Sequence, residues 1–126
     1  MAAIMMLLLV RILMFAAGFL LWAITSIFPM LDRIREGWDG LGYWQIGVPI
    51  VLVMQLGAAL VSSERPSLSP LWVLAGHALA MMLIHPAGAD LGLVPLAVVF
   101  IGLPAYAVLF MTALIGRKLA GFLKSA

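Results

Sequence analysis

His77, Met81 and His85 stand four residues apart and then four again, so on a helix they fall into one slanted stripe. Two imidazoles with a thioether between them are a donor set that suits copper, and imidazole also suits haem iron. That is the sharpest chemistry in the sequence. A plainer reading stands beside it. His85 precedes Pro86, at the end of its apolar segment, where a polar tip costs little. Met81 has Met82 beside it, and methionine is a common filler of irregular gaps between helices. Only His77 lies deep, and its simplest task is a hydrogen bond to another helix, for instance to Gln55. His77 is read as structural first, with no cofactor, as a proton or substrate group second, and as a haem or copper ligand with Met81 and His85 last.

Gln55 is the other uncharged polar group at the middle of an apolar run. Lipid offers nothing to its amide, so the side chain must face protein. It is read as a polar contact between helices, with the lining of a polar pathway as the alternative. Pro49, Pro95 and Pro104 free backbone carbonyls in two apolar runs. Broken helices at membrane depth sometimes bind ions, though prolines are also common in spans with no such task. Arg11, Glu64 and Asp90 are interfacial candidates: Arg11 and Glu64 as an ion pair or as solvated charges, Asp90 as a helix cap. Gly76, beside His77, is where the sequence best suggests two backbones in close approach.

The elements that must hold these residues follow from the composition. Of 126 residues, 66% are hydrophobic and 10% charged, with a mean hydropathy of +1.23. Soluble domains are about half apolar and a quarter charged, so the solvent for this chain is lipid. At roughly 20 residues per span the length allows four transmembrane helices and no separate globular domain. The spans are expected over 12–31, 43–61, 70–85 and 91–115, giving a single all-α integral membrane bundle of four transmembrane helices with short connections. Arg11 then sits at the edge of the first span, with Met1–Val10 either extending the helix into the headgroups or folding along the surface; the alternative keeps Arg11 inside the bilayer, facing the bundle interior. DRIREGWDGLGYW, residues 32–44, is a loop with aromatic rings at headgroup level. SSERPSLSP, residues 62–70, is a second loop, with Ser69 as cap and Pro70 opening the third span. Adjacent spans joined by short loops are expected to pack antiparallel.

Basic residues set the orientation. Arg11, Arg65, Arg117, Lys118 and Lys124 gather on one side, against Arg33 and Arg35 on the other, which places both termini in the cytoplasm. A bacterial inner membrane fits the compact chain and its lack of a secretory signal. The segments Val48–Val53 and Val94–Val99, VPIVLV and VPLAVV, echo one another faintly. Such an echo is weak evidence of duplication, since these residues fill most membrane helices.

Several functions are excluded or disfavoured. Cysteine is absent, so disulfides and thiolate metal sites are ruled out. The formal charge of +2 is carried at segment ends, which is no nucleic-acid footprint. There is no H-E-x-x-H, no P-loop and no paired carboxylate site. The expected function is therefore that of a non-enzymatic accessory or structural subunit of a larger membrane complex, partnered by the lipid bilayer and by other subunits or copies of itself. A small homo-oligomeric channel or transporter is the alternative, and a metal- or haem-binding subunit the second alternative.

Overall fold

A computed structural model of the chain describes residues 1–27, 42–84 and 91–126. The end of the expected first span, 28–31, most of the expected loop 32–44, and the connection 85–90, with His85 and Asp90, lie outside the described residues. What is described is helical apart from the segment 62–68 and the ends: α1 Ala2–Ile27, α2 Val48–Val61, α3 Ser69–Leu83 and α4 Val94–Ser125. A π-helical turn, Tyr43–Gly47, leads into α2, and a 3-10 turn, Leu91–Leu93, into α4. Three helical stretches are long and apolar enough to cross a membrane, Ala2–Ser26, Tyr43–Val61 and Val99–Ser125, while α3 is a shorter apolar helix.

The helix ends differ from the sequence expectation in instructive ways. α1 starts at Ala2, so of the two arrangements open to the residues before Arg11 the structure has the one that extends the helix. Nothing at Arg11 or Ile12 can stop a helix: no proline, no capping residue, and arginine is itself a good helix former. The nine residues Ala2–Val10 add about 13 Å of apolar helix before Arg11. α4 likewise runs past Ile115 through Arg117, Lys118 and Lys124 to Ser125, because Leu, Ala, Lys and Arg all favour helix. Ser69 is not a cap. Leu68 holds that position, without a side-chain hydrogen bond, and Ser69 is the first helical residue.

Pro49 accounts for the turn before α2. Proline has no N–H to give to the preceding turn. The chain enters α2 in a wider coil, and the Val48 N–H bonds the carbonyl of Tyr43, five residues back. Pro95 occupies the first turn of α4, where no N–H is needed. Pro104 sits inside α4 and removes one bond from its ladder.

The tightest packing is between alternate helices, α1 with α3 and α2 with α4. Sequence neighbours, α1 with α2 and α3 with α4, touch more lightly. Contacts along α1 and α3 rise together: Arg11 lies over Trp72, Phe15 against Gly76, and Trp22 reaches Ile84. α1 and α3 are therefore parallel. Along the other pair, Gly116 sits against Leu56 and Ala59, and Arg117 reaches Ser62.

Glycine sets this pairing. A Cβ at Gly18 would be driven into the carbonyl of Val73, and one at Gly76 into the carbonyl of Phe15. Both backbones approach to a distance only glycine permits, as small residues allow between membrane helices. The expected tight packing at Gly76 is thus present. One buried cluster, Val10, Met14, Ala17, Val51, Ala58, Val73 and Leu109, draws on all four helices. A second gathers Trp22, Tyr43, Ala80 and Met81.

Candidate functional site

The polar groups inside the bundle form three small groups at different heights. The first joins α1 to the segment between α2 and α3. That segment folds inward, so Ser62 and Glu64 are buried, Glu64 at 5% exposure. Arg11 meets Glu64 through both Nε and Nη2, and its guanidinium lies 5.6 Å from the centre of the Trp72 ring. The Glu64 carboxylate also accepts the Arg65 N–H, and the Ser62 hydroxyl accepts the Glu64 N–H. From α4, Arg117 donates to the Ser62 carbonyl at 2.9 Å. The Arg11 guanidinium holds the Glu64 carboxyl below the usual carboxylate range, against the opposing effect of burial. Of the two arrangements open to Arg11 and Glu64 in the sequence, the structure has the ion pair.

The second group is Gln55 with Ser69. Gln55 is fully buried, and its amide Nε2 donates to Ser69 Oγ at 2.5 Å. This bond ties α2 to the first turn of α3 and explains the diversion of Ser69 from capping. Among the described residues no donor reaches the buried Gln55 carbonyl Oε1. Its pairing with Ser69 means that Gln55 does not meet His77.

His77 belongs to the third group. Its Nε2 shares a 2.8 Å hydrogen bond with the Tyr43 hydroxyl, from the π turn before α2. The Trp22 ring stands edge-on to the imidazole at 5.4 Å, and Trp22 Nε1 donates to the Ile84 carbonyl at 2.6 Å. Tyr43 and Trp44 also meet edge to face. Three elements are therefore joined by one aromatic cluster around His77. Tyr43 is the partner that sequence reasoning missed. Its place beside Trp44 marked it as an interfacial ring, whereas the π turn rotates it inward, to 8% exposure.

Beside this cluster an apolar cleft of about 660 Å³ opens between α2, α3 and α4. Val48, Val51 and Leu52 line one wall, and residues 99–109, around Pro104, the other. His77 and Met81 both line the cleft, as the stripe of α3 requires. Among the described residues its lining contains no Asp, Glu, Lys or Arg. Among the described residues no three His, Cys, Asp or Glu side chains gather to hold a metal, and His77 Nε2 is already bonded to Tyr43.

Among the described residues the arrangement contains hydrogen bonds and one ion pair within the chain, and an opening lined by uncharged side chains. Comparison with known protein families, curated proteins and solved structures gave no match.

Proposed function

We propose that this chain is a non-enzymatic integral membrane protein serving as an accessory or structural subunit of a larger membrane assembly. The observation that carries this reading is where the polar groups go. His77, Gln55, Arg11 and Glu64 each bond another part of the same chain. The outer surface is left apolar, with Phe100, Leu103 and Val53 among its exposed side chains. Such a surface favours contact with lipid and with other apolar helices over chemistry on a polar substrate.

The cleft is where a partner helix would pack. Its described walls are uncharged, and Phe100 and Leu103 on its α4 side are 71% and 66% exposed. The setting is a bacterial inner membrane, with the basic ends of the chain in the cytoplasm.

The test is a mild-detergent pull-down from native membranes through a C-terminal tag, analysed by native gel and mass spectrometry. A photo-cross-linking residue placed at Leu103 or Phe100 adds the contact itself. A different membrane subunit at fixed stoichiometry, cross-linked from the cleft, is the expected result. Self-assembly alone, with no foreign partner, overturns the accessory reading.

A small homo-oligomeric channel or transporter is the second reading, favoured by one observation: the buried Gln55 carbonyl oxygen has no donor. On that reading, Gln55→Leu and His77→Leu abolish flux in a chain that still inserts. Normal flux in both variants removes it.

A further inference from the structure

We infer that residues 62–68 are a re-entrant segment, dipping from the basic side of the membrane toward its middle. The exposed face of the segment lines a water-filled recess that admits small hydrophilic anions.

α2 supplies the depth scale. The apolar run Tyr43–Val61 has polar sequence on both sides, DRIREGWDG before it and SSER after it. Its 19 residues make about 28 Å of helix, close to the hydrocarbon thickness of a bilayer. One edge of the bilayer thus lies near Tyr43 and the other near Ser62.

From Ser62 the chain turns back into that slab. Ser69 Oγ accepts the Gln55 amide, and Gln55 stands seven residues before Ser62, about 10 Å down α2 from its end. α4 reports the same descent. The Ser62 carbonyl accepts from Arg117, whereas the Ser67 carbonyl accepts from the hydroxyl of Tyr106, eleven residues earlier in that helix. α3 then begins inside the bilayer, which is why its 15 residues, about 22 Å, are enough to reach the far side.

α1 fixes the same boundary independently. Ile4, Met5, Leu8 and Leu9 are exposed apolar side chains, and all precede Arg11. Surface of this kind belongs in lipid, so the bilayer extends past Arg11 and the Arg11–Glu64 pair lies beneath its edge.

The residues of the segment decide what its exposed face meets. Ser62 and Glu64 are buried, while Ser63, Arg65 and Ser67 are exposed. Non-helical backbone at membrane depth persists only where protein buries it or water reaches it. An arginine facing lipid is costly, and two serines beside it gain nothing there. Water is the solvent that fits this face, and the buried Gln55–Ser69 pair closes the recess below. Its charge is positive. Among the described residues Glu64 is matched by Arg11, whereas Arg65 meets no carboxylate and Arg117 bonds a carbonyl. A recess walled by one sign of charge concentrates ions of the other.

The natural absence of cysteine makes the test direct. Ser63→Cys, Ser67→Cys, Leu9→Cys and Ala126→Cys, all at exposed positions, are made singly in the full chain. Intact cells and inside-out vesicles are then treated with membrane-impermeant thiol reagents, and Ala126→Cys identifies the basic side. From that side Ser63→Cys and Ser67→Cys are expected to react, and Leu9→Cys to be protected by lipid. At Ser67→Cys a sulfonate reagent should react roughly tenfold faster than a trimethylammonium reagent, each relative to a free thiol, and Arg65→Gln should remove most of that preference. Protection of Ser67→Cys from both sides means that lipid or a partner covers the segment, and overturns the recess. Reaction of Leu9→Cys puts the bilayer edge at Arg11, makes the segment a surface loop and overturns the re-entry. Equal rates for the two reagents, or a preference for the cation, overturn the assignment to anions.

Discussion

At the scale of single residues, the buried amide of Gln55 and the imidazole of His77 show how a membrane interior treats polar atoms. Gln55 satisfies one end of its amide through Ser69 and leaves the other end without a donor. Removing its partner strands both ends, whereas replacing the amide with an apolar side chain removes the unmet need altogether. Ser69→Ala is therefore expected to cost about 1–3 kcal/mol, and Gln55→Leu to be near neutral. The Ser69 hydroxyl can then turn to a backbone carbonyl, as serines in helices do. Unfolding in detergent, followed by circular dichroism, checks the order of the two variants. A larger loss for Gln55→Leu would show that the amide has work beyond the Ser69 bond. For His77 the measure is coupling. A double-mutant cycle of Tyr43→Phe and His77→Phe should give about 0.6 kcal/mol, the usual size of a hydrogen bond between membrane helices. Coupling near zero would mean that the two side chains are held by packing alone. The sequence named Gln55 and His77 as polar groups needing partners. It did not name the partners, because Ser69 looked like a cap and Tyr43 like an interfacial ring. Both were misread for one reason: their local signals are satisfied elsewhere by the turn of the chain.

At the scale of elements, the glycine crossing and the Arg11–Glu64 pair hold α1 in place at two heights. Gly18→Leu and Gly76→Leu each drive a side chain into a facing backbone, and overpacking of this kind costs about 1–3 kcal/mol. The two variants should lose similar amounts of thermal stability in detergent, because their environments are reciprocal. A harmless substitution at either site would refute the close crossing. The ion pair gives a pH dependence of definite sign. Glu64 is held below its free value by Arg11, so its contribution is fully present above the free carboxylate value of about 4.3. It fades as pH falls through the lower folded value. Thermal midpoints measured across that range should drop in the parent chain, and the drop should be shallower in Glu64→Gln. An unchanged pH profile would show that Glu64 does not titrate with folding. The helices themselves were legible from apolar run lengths, and the short third helix from Pro70 and Pro86. The outer ends of the first and last helices were not. A bilayer edge is a property of the solvent, whereas a helix stops only where residues oppose it, and Arg11, Arg117 and Lys118 do not. Pairing was also illegible, since connection length favours sequence neighbours and the decisive contacts are two glycines 58 residues apart.

At the scale of the whole molecule, the basic side chains among the described residues gather at one end. α1 and α3 begin there, α2 and α4 finish there, and Arg117 reaches into the segment between α2 and α3. Arg65, Lys118 and Lys124 lie on the same side, so the positive-inside bias and the packing agree on which ends belong together. Orientation in the membrane can then be read with single cysteines, since the parent chain has none to interfere. Cysteines at Ser63 and at Ala126 should behave alike: shielded from an impermeant thiol reagent in intact cells, and labelled in inside-out vesicles. Labelling of both in intact cells would invert the assigned orientation while leaving the fold untouched. Labelling of one and not the other would break the fold, because the end of α4 and the segment after α2 could then no longer share a membrane face. The contact between Arg117 and Ser62 makes that third outcome the one most at odds with the structure, and so the most informative to look for.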